Sequence, residues 1–323
     1  MTDPFGDEHG YLTELPEDLR LRRAATARRR RWRRRLAVGA FLLAVGAVVA
    51  LAVTSLGGGG GSKQGAEANR SAGGASAAGQ TTTSFPADWR PSTAPVPILE
   101  YHAIQPPVAG SAYPELFVTQ ADFQHQMQWL KDNGYEAVTL NQVEDSWYEH
   151  GELPPKPVVV SLDDGYLSQY VAAFPELQHL GWKGVLNLKA SGSDLPDADA
   201  KKMIAAGWEL ASHTITHPDL TTLDAASLQR ELVGSRQILR KRFGVPVDNF
   251  CYPSGRYDDT VIAAVQKAGY RGAESEVFGL ASAAHPYILN RIEVENSDGL
   301  SGFVQKLKAA QTGSATFAPS PGG

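Results

Sequence analysis

Hydrophobic and polar positions change rhythm along this chain. An uncharged apolar run extends from Leu36 to Leu56, and beyond Pro95 the pattern breaks into short apolar runs separated by stretches of helical spacing. The short runs centre near Ile98, Ala137, Val159, Val185, Trp208, Phe250, Gly272 and Ile292. Pro157-Val158-Val159-Val160-Ser161-Leu162 is representative: it is short, β-branched and closed by an Asp-Gly turn signal, so it reads as a buried strand. Between the runs, residues 120–132 read as a helix stopped by Asn133-Gly134, and 225–242 as a helix preceded by Asp224 and ending before Gly244. Strands alternating with helices predict a mostly parallel α/β fold, and residues 95–311 are ample for one such domain and its core. No internal repeat of solenoid period is present.

The first hundred residues follow other rules. Arginines at 20, 22, 23, 28–31 and 33–35 form a basic block directly before the apolar run. That run has the roughly 20 residues a transmembrane helix needs, and the flanking arginines predict a cytoplasmic N-terminus. The expected organisation is a basic cytoplasmic segment (1–35), a transmembrane anchor (36–56), a flexible Gly/Ser/Ala-rich linker (57–94), the α/β domain (95–311) and a disordered tail (312–323). The cell membrane is then the expected location, single-pass, with the α/β domain outside. A cleaved signal peptide is the rival reading, since Ala50-Leu51-Ala52 resembles a cleavage site; the long charged lead and the length of the run favour an uncleaved anchor.

Charge separates along the same boundary. Residues 1–35 hold ten Arg and six acidic side chains, net +4, so the formal total of −5 leaves −5 − 4 = −9 for the rest. An acidic outward part argues against nucleic acid or another polyanion as a partner. The lone Cys251 excludes an intrachain disulfide, and no obligate protein partner is inferred.

The candidate chemistry lies in two segments. Ser161-Leu162-Asp163-Asp164-Gly165-Tyr166 puts two carboxylates at a strand's C-terminal end, and side-chain alternation points them in different directions. Ser212-His213-Thr214-Ile215-Thr216-His217-Pro218 offers two imidazoles one helical turn apart. Either alone is weak: Asp-Asp-Gly is commonly a solvated turn, and His-x-x-x-His recurs by chance. Together, two histidines and one aspartate suit Zn²⁺ or another divalent ion such as Co²⁺ or Ni²⁺, leave a coordination position open for catalysis, and spare a second aspartate as a base.

A third segment, Phe250-Cys251-Tyr252-Pro253-Ser254-Gly255-Arg256-Tyr257-Asp258, follows in order. The three together resemble the polysaccharide deacetylases of carbohydrate esterase family 4 over roughly Pro95 to Ala310. The resemblance implies an irregular, incomplete (β/α) barrel, with Asp163 as general base and Asp164, His213 and His217 as metal ligands. It also implies an oxyanion or substrate-binding role for the third segment, pointing to Tyr252 and Pro253. Two departures stand out. Cys251 occupies the place of an arginine found in many relatives, which makes Arg291 in Leu289-Asn290-Arg291-Ile292 a candidate to orient the base. The late general-acid histidine is also missing, and His285, before a proline in a loop-like stretch, reads as a surface residue. His102 in Glu100-Tyr101-His102 resembles the acid of a circularly permuted branch that includes poly-N-acetylglucosamine deacetylases, whose acid-bearing strand comes first.

The expected function is a membrane-anchored, extracytoplasmic, metal-dependent hydrolase removing N-acetyl groups from N-acetylhexosamine units of a cell-envelope polysaccharide or exopolysaccharide. The alternatives are a catalytically inactive glycan-binding module of the same fold, an O-acetyl esterase using the same metal-water chemistry, and an envelope scaffold.

Overall fold

Alternating residues along each short apolar run serve two different environments, and that division builds the barrel. The computed structural model describes Pro86 and residues 88–313. Ten strands occur among these residues: β1 (Ile98–Tyr101), β2 (Ala103–Ile104), β3 (Phe117–Val118), β4 (Glu136–Ala137), β5 (Pro157–Asp163), β6 (Val185–Leu188), β7 (Glu209–Ser212), β8 (Asn249–Cys251), β9 (Gly272–Phe278) and β10 (Leu289–Glu293). The main sheet runs β1-β10-β9-β8-β7-β6-β5-β4, and β1 also pairs with β5. All strands of that sheet except β4 therefore form a closed ring, one short of an eight-stranded barrel, and every ladder is parallel. β4 lies beside the start of β5, while β2 and β3 pair with each other. The parallel α/β expectation is met at all eight predicted runs, although β7 begins at Glu209, one residue after Trp208.

Leu99, Val158, Val160, Leu162, Leu186, Leu210, Phe250, Ala273 and Ile292 belong to the large core shared with Phe123, Met127, Leu232, Val265 and Phe303 of the surrounding helices. Their neighbours in sequence, Ile98, Val159, Val185, Ala211 and Leu289, form a separate apolar cluster. A period of two assigns one set to the helix layer and the other to the ring's interior. Polar residues continue the interior rows at both ends: Glu100, Asp163, Asn187, Cys251, Glu274 and Arg291 towards the strand C-termini, Glu209 and Asn249 at the N-terminal end.

The helix Gln120–Asp132 forms where its pattern predicts, with Thr119 capping it by accepting from the Asp122 N–H. The second predicted helix, 225–242, is not continuous. Asp224 caps Ala225–Gln229, a π-helical segment follows at Arg230–Gly234, and Ser235–Phe243 ends at Gly244 in the left-handed region. The extra residue in the π turn places buried Glu231 where it accepts from the N–H groups of Ile215 and Thr216 and from the Thr216 hydroxyl, a tertiary demand invisible in the periodicity. No helix among the described residues is long and apolar enough to cross a membrane, and the predicted anchor and linker lie outside those residues.

Candidate active site

Strand C-termini meet on one face of the ring, where a cavity of about 450 Å³ opens. Its lining includes His102, Asp163, Asp164, Tyr166, Lys189, His213, His217 and Ser254. His102 follows β1, Asp163 ends β5, Lys189 follows β6 and His213 follows β7, so a parallel ring brings together residues from across the chain.

Asp163 and Asp164 diverge sharply because Asp163 keeps strand geometry whereas Asp164 adopts φ +73°, in the left-handed region. Gly165 continues the turn at φ +77°, and a Cβ there would run into Leu188 and Ser193. The histidines also converge through strained backbone. Thr214 and His217 take φ +63° and +62°, and Thr214 Oγ1 accepts from the His217 N–H at 2.9 Å. The expected helical turn is thus a loop: β7 stops at Ser212, and the side-chain-closed turn folds the imidazoles together with ring centroids 4.7 Å apart.

Asp164 Oδ1 stands 3.8 Å from Nε2 of both His213 and His217 and 3.2 Å from Lys189 Nζ. Three groups among the described residues have donors close enough to share a metal. Of these, only Asp164, His213 and His217 all line the cavity. Burial pushes the His213 imidazole down to about 4 and that of His217 down as well, so both are neutral at physiological pH, as ligands must be. His213 Nδ1 lies 2.9 Å from the Cys251 carbonyl, which leaves Nε2 facing Asp164. Asp164 Oδ1 is buried yet accepts no hydrogen bond, so the donor set fits a divalent cation.

Asp163 has different surroundings. Arg291 Nη1 lies 3.0 and 2.9 Å from its two oxygens, Asn187 Nδ2 donates to Oδ1 at 2.7 Å, and the Cys251 thiol approaches Oδ2 at 3.4 Å. Burial, the largest single influence, would raise the Asp163 carboxyl, but the Arg291 guanidinium, the His213 and His102 imidazoles and the Asn187 hydrogen bond together outweigh it and hold the group well below the usual carboxylate range. Arg291 is itself 1% exposed, with Nε donating to the Ser275 carbonyl at 2.9 Å and Nη2 standing 3.0 Å from Glu100 Oε1. A register shift between β9 and β10 falls at this position. Burial keeps the Cys251 thiol protonated, so a weak donor stands on β8 and the cation comes from β10.

His102 joins this group at the cavity wall, its Nε2 4.0 Å from Glu100 Oε1. Tyr252 and Pro253 do not: both are buried and neither lines the cavity. The Tyr252 N–H donates to the Glu274 carbonyl at 3.1 Å and its hydroxyl to the Tyr287 carbonyl at 3.1 Å, which removes it as an oxyanion donor. The cavity residue of that segment is Ser254, at φ +49°. Asn187 and Glu274 carried no local motif; their only signal was a polar residue inside an apolar strand run.

Comparison with known proteins follows the same residues. The polysaccharide deacetylase family profile matches residues 150–273. YxkH of Bacillus subtilis, named as a polysaccharide deacetylase, is 31% identical over 214 residues, covering 65% of this chain and 74% of that protein. Poly-β-1,6-N-acetyl-D-glucosamine N-deacetylase of Escherichia coli is 25% identical over 260 residues, 66% of this chain, and the chain spans only 38% of that enzyme's length. Among solved structures, the Streptococcus pyogenes deacetylase PplD in complex with acetate superposes with a TM-score of 0.61 at 28% identity, covering 67% of this chain and 99% of that one.

Proposed function

Because this chain belongs to the polysaccharide deacetylase family, we propose that it is a metal-dependent hydrolase releasing acetate from N-acetylhexosamine units of a cell-envelope glycan or exopolysaccharide. The observation that carries this reading is the pairing of a metal-competent triad, Asp164, His213 and His217, with a separately charged Asp163 at one cavity. The similarity to a poly-β-1,6-N-acetyl-D-glucosamine deacetylase supports a β-linked N-acetylglucosamine polymer as the substrate.

A divalent ion, Zn²⁺ or a similar metal, held by Asp164, His213 and His217 would supply Lewis acidity to a bound water and to the acyl oxygen. Asp163, kept ionised by Arg291 together with the Asn187 hydrogen bond and the neighbouring imidazoles, accepts the water's proton. His102, on the same cavity wall, delivers a proton to the departing amine, so that water and amide become acetate and a free amino sugar. Ser254 replaces Tyr252 as the candidate whose backbone N–H faces the developing oxyanion.

The same proposal has the apolar run 36–56 anchoring the protein in the cell membrane, the basic segment cytoplasmic and the site outside, at the glycan. Acetate release from N-acetylglucosamine oligomers, measured on the full chain with metal, after chelation, and with Asp163→Asn, tests the chemistry. Release confined to the metal-loaded wild type is expected, and equal or absent release in all three would overturn it. His102→Ala is expected to cut turnover with bound metal unchanged, and wild-type turnover would return His102 to a packing role.

A further inference from the structure

Three carboxyl groups and one guanidinium share the upper interior of the ring. Glu100, Asp163 and Arg291 are each 1% exposed and Glu274 is 0% exposed. A buried carboxylate needs a paired cation, and one cation balances one anion. Asp163 takes it with both oxygens, each within 3.0 Å of Arg291 Nη1; Glu100 meets the same guanidinium with one oxygen, 3.0 Å from Nη2, and burial raises its carboxyl well above the ordinary value, whereas Glu274 Oε2 is 3.9 Å from Nη1.

Glu274 instead meets the Asn187 side-chain amide, whose Nδ2 donates to Glu274 Oε2 and also to Asp163 Oδ1. The other half of that pair, Glu274 Oε1 and Asn187 Oδ1, consists of two buried acceptors with no hydrogen-bond partner. A proton on Glu274 Oε1 resolves both, because a carboxylic acid can donate to the amide oxygen while accepting from the amide nitrogen.

We propose that Glu274 is a positioning residue held as a neutral acid: it grips the Asn187 amide, aims that amide's N–H at Asp163, and does not compete with Asp163 for the Arg291 charge. The groups facing Glu274 fit this. They are Asp163 on β5, Asn187 on β6, Glu209 on β7, Cys251 on β8 and Arg291 on β10, with Glu100 on β1 against the same guanidinium, and Arg291 is the one cation among them. Burial drives the Glu274 carboxyl up to about 7 against the pull of Arg291, with Asp163 pushing the same way as burial. Above that pH the proton leaves and the grip on Asn187 weakens.

The proposal rests on Asp163 being the base, and its test separates the two. Glu274→Gln presents the same donor and acceptor as the neutral acid at every pH. It is expected to keep kcat within about threefold of wild type near pH 6 and to exceed wild type in relative activity at pH 8.5. Glu274→Ala and Asn187→Ala are expected to lower kcat about tenfold with KM and bound metal unchanged. An infrared difference between wild type and Glu274→Gln at pH 6 is expected to contain a protonated-carboxyl band that vanishes at pH 9. A Glu274→Gln variant as impaired as Glu274→Ala, a Glu274→Ala variant with wild-type kcat, or an absent band would each overturn the proposal. The band does not depend on turnover, so an inactive metal-loaded wild type would sink the deacetylase reading while leaving the protonation readable.

Discussion

At the strand N-terminal end of the ring, Asn249 Nδ2 donates to Glu209 Oε1 at 2.9 Å and to Glu144 Oε2 at 3.2 Å, beneath the helix Leu140–Tyr148 that carries Glu144. At the C-terminal end, Asn187 Nδ2 does the same for Asp163 and Glu274. Both clusters bury two carboxyls around one asparagine, and the apolar layer of Ile98, Val159, Val185, Ala211 and Leu289 lies between the rows. The lower one is sealed: Gly272 packs against Glu144 and Asn249 so tightly that a Cβ would collide with the Glu144 carboxylate, and Arg271 reaches Glu144 only from the half-exposed edge, 3.5 Å away. The upper one has a fully buried arginine in contact with two carboxyls, Asp163 and Glu100, and opens to a cavity beside neutral imidazoles. Burial of acids is therefore shared by both ends. A chosen, charged carboxylate with access to substrate distinguishes the end that can do chemistry.

That contrast has measurable consequences. The largest is at Asp163: replacement by Asn is expected to lower acetate release by about a thousandfold with metal still bound, the scale of losing a positioned general base. His213→Ala should abolish stoichiometric metal binding, measured by elemental analysis, because it removes a buried ligand whose Nδ1 is already oriented by the Cys251 carbonyl. Arg291→Met leaves Asp163 buried without its cation, and a loss of about 3–5 kcal/mol of stability is expected by denaturant unfolding, together with lost turnover. A fall below about 1 kcal/mol would mean that the ion pair is not what holds the upper end.

The smallest effect belongs to the sealed end and has the opposite sign. Burial, reinforced by Glu209 and opposed by Arg271, pushes the Glu144 carboxyl up to about 8. The folded protein therefore keeps a proton that the unfolded chain releases near the ordinary carboxylate value of 4.5. Between these two values the folded state binds more protons, so stability falls as pH rises from about 4.5 to about 8. Glu144→Gln removes that dependence. It is expected to raise Tm by a few degrees at pH 8.5, with little change at pH 4.5 and unchanged turnover, as read by calorimetry across pH. A lower Tm at pH 8.5 would show that Glu144 is ionised and paired.

The metal-ligand candidates were legible because the signal is local: Asp163-Asp164-Gly165 and His213 to His217 each fit in a few residues at a strand's end. The support of Asp163 was legible only in part: Arg291, expected to orient the base, does contact it, while the Asn187 amide and the Cys251 thiol on the same carboxylate were not expected. Arg291 lies 128 residues away in the chain, Cys251 88 and Asn187 24; only the missing arginine at Cys251 pointed to Arg291, and nothing in the Asn187 segment marks a partner. Tyr252 misled for a related reason. The resemblance implied that its N–H faces the site, but the β8–β9 edge takes that donor, and the left-handed kink places Ser254 at the cavity instead.

The sequence by itself determined which segments become strands, that they run parallel, and which side chains lie at their C-terminal ends, because periodicity, turn residues and β-branching act over a few neighbouring positions. Ring closure through β1 and β5 decided which of those ends share a cavity. Tertiary structure alone also decided which of three interior carboxyls holds the charge. That choice depends on desolvation and on how many contacts each carboxyl makes with the guanidinium, the Asn187 amide and the imidazoles, and these exist only once the strands have packed.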